Sequence, residues 1–383
     1  VVTACETNNA AHDDAGADTA DDRATTDADA AAVHAFPQVP NNGGPILTSP
    51  QLVTVTFTGY AYEADVVAFG SWVASSDWLT AVGAQYGVGL GAAVASVVLG
   101  DALPASVMSV DVEQLLRARI ADGTLPTPPG ASSDYVYVVY YPSTTKTYVD
   151  AFATSCTGWH GAFDLAVDGG TFEVPYATIS TGCDYRPQGQ SEQQDVEQEA
   201  SHEIIEAATD PFPMTPAYVI GDPASPWHYL DGEIADLCVS KSIIDSGFQV
   251  QRVWSNVAAA LGNADPCEPN PMNEPYVGTS AAVISLPAGQ STTITVEGWS
   301  SAPTPAWVVA AQPAYIQGDF SPFDFGAYDG GEPPVVMLTN GATTTVTLSV
   351  PSGTSSGSHG AMTMYSTLTG EDWSLTPILV DVP

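Results

Sequence analysis

Basic residues are nearly missing from this 383-residue sequence: 7 Lys+Arg stand against 44 Asp+Glu, a formal net charge of −37. A surface of that sign repels phosphate backbones and anionic bilayers, which excludes nucleic acid and acidic membranes as partners. It suits a salty or calcium-containing exterior, or a protein that binds cations. Long apolar runs are also absent, so no stretch reads as a transmembrane segment. No Gly-rich phosphate loop is present. Ser201 lacks the nucleophile-elbow context that serine-hydrolase chemistry requires. Cysteine is scarce, with five in all: Cys5, Cys156, Cys183, Cys238 and Cys267. The last four could form two disulfides, which fits an oxidising compartment. Cys156–Cys183 and Cys238–Cys267 close local loops, but spacing alone leaves the other pairings open.

What remains is enough to fold. Hydrophobic residues make up 44% of the chain and tyrosines number 16, so the acidity is not disorder throughout, and the length allows two domains. Residues 1–45 read as an acidic, disordered tether rich in Ala, Asp and Thr, with His12 and His34 given no specific role. Its start, Val1-Val2-Thr3-Ala4-Cys5, has the look of a lipobox without its upstream apolar region, which makes Cys5 a candidate lipid-bearing residue. A chance run of small residues is the alternative. Residues 46–272 alternate between strand and helix patterns: a strand over 51–57, two helices over 63–86, a strand over 92–99 and a helix over 111–121. A buried central strand follows at 135–141. That order predicts an α/β main domain, with a zincin-like α+β layout as the variant. After a Pro-bearing boundary near 269–275, residues 276–383 carry short alternating strands separated by Gly, Pro and Ser. They predict an all-β sandwich of immunoglobulin-like type.

One stretch carries chemistry. Glu199-Ala-Ser-His202-Glu203-Ile-Ile-Glu206-Ala-Ala-Thr-Asp210-Pro211 predicts a helix opening near Gln193 and stopping before Pro211. At about 100° per residue, Asp195, Glu199, His202, Glu206 and Thr209 share one face, while Val196, Ala200, Ile204 and Ala207 lie opposite. The sequence therefore predicts a core side and a polar side. His202 and Glu206 sit one turn apart with Glu203 beside them. That is the layout of a zinc-hydrolase helix with a carboxylate in place of the second histidine. The motif is loose, and an acidic helix face is ordinarily just solvated.

Two further segments strengthen it: Cys156-Thr-Gly-Trp-His160-Gly161, and Glu233-Ile-Ala-Asp236-Leu-Cys238 followed by Val250-Gln-Arg-Val-Trp-Ser-Asn256. Together with the helix they resemble the phosphate-induced protein 1 (exordium-like) family of secreted proteins and its bacterial relatives, over roughly 50–270. The resemblance implies that the three segments form one site. It does not by itself imply activity, since many plant members lack the His-Glu pair that this chain keeps.

Zinc takes about four ligands at roughly 2.0–2.2 Å from nitrogen or oxygen and leaves one place to water in a catalytic site. His202 and Glu206 would supply two. Candidates for the third are Asp236, Glu233, His160, Asp210 and His228, with Asp236 or Glu233 favoured beside a probable anchor at Cys238. Glu203 is then the expected general base. Calcium is a second candidate ion. These residues predict a secreted or surface-anchored zinc-dependent hydrolase, most simply a peptidase acting on a peptide or cell-surface polymer. A catalytically silent matrix- or glycan-binding protein with a structural metal is the alternative. Trp227 and Trp254 are expected in the core or at its rim.

Overall fold

The computed structural model describes residues 36–130, 134–149, 158–167, 170–182, 189–262, 265–269, 275–279, 281–300, 303–314, 318–323, 335–368 and 373–383. The candidate lipidation residue Cys5 and the candidate pair Cys156 and Cys183 lie outside these. Within them the chain is mostly β, with few helices and several sheets.

The first part contains β1 (Gln51–Phe57), α1 (Glu63–Val73), α2 (Asp77–Gly83), β2 (Ala92–Leu99), β3 (Ser106–Met108), α3 (Ser109–Ala121) and β4 (Tyr135–Tyr140). After β5 (Lys146–Tyr148) come β6 (Trp159–Val167), β7 (Gly170–Ile179) and α4 (Glu192–Thr209). Five strands form one sheet in the order β2-β1-β4-β7-β6. All neighbours are parallel except β6, which runs antiparallel to β7. β4 is central and almost wholly buried, as its continuous β-branched and aromatic run requires. Its side chains alternate: Val136, Val138 and Tyr140 join α1, α2 and α4 in one core, and Tyr137 and Val139 join α3 in another. A period of two thus feeds two apolar layers from one strand.

Next come β8 (Ser242–Asp245), β9 (Phe248–Gln251), β10 (Val253–Trp254), α5 (Asn256–Leu261) and β11 (Cys267–Glu268). The β8–β9 hairpin lies on α4, where the Gln249 amide donates to Glu197 and the Gln251 amide donates to the Ser201 hydroxyl. Cys238 and Cys267 are disulfide-bonded, with Cα atoms 5.8 Å apart. Trp227 and Trp254 are buried.

The remainder holds β12 (Pro275–Thr279), β13 (Val283–Ser285), β14 (Ser291–Ser300), β15 (Trp307–Pro313), β16 (Val336–Leu338), β17 (Thr343–Ser349), β18 (His359–Thr367) and β19 (Ser374–Asp381). A three-stranded sheet, β12-β14-β17, and a five-stranded one, β13-β19-β18-β15-β16, share a core that includes Trp307, Met362 and Ile378. The arrangement is sandwich-like. β12 and β19 were not expected from the sequence: β12 follows a proline-rich boundary, and Pro377 interrupts the pattern of β19.

One sequence expectation needs correction, and the polar face of α4 has a cover that the sequence does not reveal. Residues 36–45, assigned to the tether, are fixed: Phe36 packs on Trp254 and Tyr276, Val39 pairs with the Asn256 side chain, and the Asn42 amide donates to Ala217. And α4 has no solvated side. Its polar face is covered by β6, by β9 and by the segment at 233–238, leaving Glu203 and Glu206 only 5% and 3% exposed.

Candidate metal centre

The helix that carries the site is fixed at both ends. Ser191 caps α4 by accepting from the Gln194 amide, and the Gln194 side chain accepts from the Ser191 amide, satisfying two otherwise orphaned donors. At the other end Asp210 terminates the helix before Pro211.

His202, Glu203 and Glu206 project from α4 towards two other segments. β6 brings His160 by pairing with β7, where His160 lies opposite Ala177. The segment after Gly232 brings Glu233 and Asp236, held by the buried Ile234, Ala235 and Leu237 and by the Cys238–Cys267 disulfide. His202 Nε2 lies 3.0 Å from Glu206 Oε2, 3.4 Å from Asp236 Oδ1 and 4.0 Å from Glu203 Oε1. His160 Nδ1 lies 3.5 Å from Glu203 Oε2 and 3.6 Å from Glu206 Oε2, and its Nε2 lies 3.6 Å from Glu233 Oε2. Ligand atoms around a tetrahedral ion at zinc distances are about 3.3–3.6 Å apart; four of these six separations fall in that range, with the His202–Glu206 pair shorter and the His202–Glu203 pair longer. Two triads have all their ligand atoms within 4.8 Å: His202, Glu203 and Glu206, and His160, Glu206 and Glu233.

The surrounding groups orient the donors. Glu206 Oε1 accepts from the Ala235 and Asp236 amides at 3.2 and 3.1 Å, which leaves Oε2 facing the histidines. His202 Nδ1 lies 2.9 Å from Gln251 Oε1. The Gln251 amide nitrogen donates to the Ala235 carbonyl at 2.7 Å, which sets its oxygen towards His202. In the neutral imidazole, Nδ1 therefore carries the hydrogen and Nε2 presents a lone pair to Glu206 and Asp236. A lone pair and a carboxylate oxygen 3.0 Å apart repel unless a proton or a cation lies between them.

Charge makes the same demand. Glu203 Oε2, Glu233 Oε2 and Glu199 Oε1 are buried without a hydrogen-bond partner. Burial, reinforced by the charges of Glu206 and Asp236, pushes the Glu233 carboxyl well above its ordinary range. Asp236 rises from burial and the charge of Glu206, against a hydrogen bond from His202. Burial and the charge of Glu203 raise Glu199, and burial with Asp236 and Glu206 raises Asp231 to about 7. Burial alone would lower the histidines. For His160 the nearby Glu203 and Glu206 carboxylates outweigh it and lift the ring to about 9. His202 rises well above its usual value through Glu206 and Asp236. In the absence of an ion, then, protons supply the positive charge that the cluster demands; a divalent cation would replace them.

All five sequence-proposed ligands, His160, His202, Glu206, Glu233 and Asp236, meet here with Glu203. The two remaining candidates do otherwise. His228 donates to the Ile220 carbonyl at 3.2 Å. Asp210 accepts from the Ala217 amide through its carboxylate and faces His160 only through its carbonyl, 3.2 Å from Nε2. The sequence gives Gln251 no role of its own within Val250–Asn256; an inward-facing polar residue in a hairpin strand is the signal it offers. It also gives no role to Gly158. A Cβ there would lie 2.6 Å from Glu199 Oε1 and 2.8 Å from Glu203 Oε1, so a side chain just before β6 would displace both acids.

The chain matches no protein-family model and no curated protein. Solved structures give low similarity. A CARDB domain from Pyrococcus furiosus, in complex with di-metal ions, is 9% identical over 28% of this chain and 89% of that one, with a TM-score of 0.17. A beta-glucosidase from Listeria innocua is 12% identical over 91% of this chain and 48% of that one, with a TM-score of 0.16. Scores this low carry no functional argument, and the chemistry of the site must be read from its own residues.

Proposed function

We propose that this chain is a zinc-dependent hydrolase, most simply a peptidase, secreted or surface-anchored and related to the exordium-like family. In this reading a zincin-like α/β domain precedes an immunoglobulin-like sandwich. The observation that carries it is His202 Nε2 lying 3.0 Å from Glu206 Oε2 and 3.4 Å from Asp236 Oδ1, with the buried Glu203 carboxylate beside them in one group with His202 and Glu206. The imidazole among these donors favours zinc over calcium, which prefers an all-oxygen shell. His202 and Glu206 would hold the zinc, which when bound would supply Lewis-acid polarisation of a carbonyl and easier deprotonation of a water. Glu203 Oε2, which has no hydrogen-bond partner, receives the proton and returns it to the leaving group. Glu206, locked by two amides, and His202, locked by Gln251, hold their donor atoms in place. A localisation outside the cell accords with the Cys238–Cys267 disulfide. Among the described residues no helix is long and apolar enough to cross a membrane.

Metal analysis of the purified chain tests this, together with turnover of a casein or peptide-library substrate. Glu203→Gln should keep the zinc and lose turnover by about 10²–10⁴-fold, the usual size of a general acid–base contribution. A fully folded chain that takes up no zinc would remove the reading.

One observation favours the second reading, a catalytically silent surface protein with a structural ion. His160 adds a further buried donor, so protein groups alone could close the shell. Zinc-edge X-ray absorption separates the two: an open position occupied by water supports the hydrolase, and a shell completed by the protein supports the structural site.

A further inference from the structure

We infer that this cluster is built for two divalent cations, with Glu206 shared between them. The inference rests on the metal-site reading above and extends it. The two groups whose ligand-type atoms lie within 4.8 Å of one another, His202–Glu203–Glu206 and His160–Glu206–Glu233, overlap in Glu206. Glu206 Oε2 is the common vertex, 3.0 Å from His202 Nε2 and 3.6 Å from His160 Nδ1. Its other oxygen is tied to the Ala235 and Asp236 amides, so the bridging position is fixed.

A second, independent observation is Glu203. Its side chain is only 6% exposed, and its Oε2 is buried without a hydrogen-bond partner while pointing at His160 Nδ1 from 3.5 Å. Its Oε1 faces His202 Nε2 at 4.0 Å. The carboxylate therefore spans the space between the two imidazoles, on the same side as Glu206. One ion beside His202 would leave the buried Glu233 Oε2 without a partner, although it lies in one group with His160 and Glu206.

The charge count agrees. Glu203, Glu206, Glu233 and Asp236 bring four carboxylates. One divalent ion with neutral imidazoles would leave two negative charges in a site largely closed to water, and burial of unpaired charge is strongly unfavourable. Two divalent ions balance these four carboxylates. Paired ions about 3.5–4 Å apart are an established device for hydrolysis, in which one ion assists attack and the other the leaving group. The geometry assigns Asp236 to the ion at His202 and Glu233 to the ion at His160.

The test is stoichiometry. The full chain is stripped with chelator, loaded with zinc, gel-filtered and assayed for bound metal. Wild type should hold two equivalents. His160→Gln and Glu233→Gln should each fall to one, with circular dichroism confirming that they fold. Glu233 is partly exposed, so its variant serves if the buried His160 variant does not fold. One equivalent in wild type, or two that persist in both variants, would overturn the second site and leave the single-ion reading standing. No bound zinc in a folded wild type would overturn both.

Discussion

Replacing Gln251 by leucine separates the ion-binding donors from the groups that merely orient them. The side chain makes two buried contacts, Oε1 to His202 Nδ1 at 2.9 Å and Nε2 to the Ala235 carbonyl at 2.7 Å. The backbone amide bond from Gln251 to Ser201 does not depend on the side chain, so β9 keeps its seat on α4. Leucine is close in size and would leave a His202 N–H and a carbonyl without partners. Each unsatisfied buried group costs about 1–3 kcal/mol. Loss of an outer-shell partner to a metal-binding histidine costs about 10–100-fold in affinity. The expected result is therefore a lower melting temperature and zinc affinity reduced by about 10–100-fold. Competition against a chromophoric chelator gives the affinity, and calorimetry the melting temperature. An affinity within twofold of wild type would refute the idea that Gln251 fixes the imidazole for a metal.

Three further outcomes are expected. In chelator, stability should fall as pH rises from about 5 to 9. His160 (raised to about 9) and Asp231 (raised to about 7) both bind protons more tightly in the fold than in the unfolded chain, so their contribution is complete below the unfolded values and lost through the folded ones. His160 alone is worth on the order of 3 kcal/mol over that range, and urea melts at the two pH values would show it; stability that rises with pH contradicts the assigned charges. Gly158→Ala should push Glu203 and Glu199 aside and lower turnover with a loss of about 1–3 kcal/mol in stability, whereas Gly100→Ala, with open space at its Cβ and no positive φ, should leave turnover unchanged. The double replacement Cys238→Ser and Cys267→Ser should cost about 3–4 kcal/mol for a loop of 29 residues, and an unchanged melting temperature would show that the crosslink does not hold the Asp236 segment.

The sequence was most legible where one pattern decided the outcome. β1 spans the expected 51–57, and α4 starts one residue before the expected Gln193 and ends where Pro211 demands. The ligand set could be proposed because i,i+4 spacing on a helix is rigid and because His160 and the Glu233–Asp236 segment lay in recognisable motifs. What could not be read was environment. Helical periodicity separates two faces of α4 but cannot say that a hairpin will cover the polar one; Glu197 and Ser201 reveal that only through long-range bonds to β9. Nor could sequence show that residues 36–45 dock, since Phe36 finds its aromatic partners more than 190 positions away. Gln251 escaped for the same reason, because it lies 49 residues from the histidine it orients.

The most direct measurement is anomalous diffraction at the zinc edge from crystals of the zinc-loaded chain. A peak in contact with His202 Nε2, Glu206 Oε2 and Asp236 Oδ1, with Glu203 beside it and not ligating, is the expected result. A folded site without any peak, or with Glu203 turned to solvent, would contradict it.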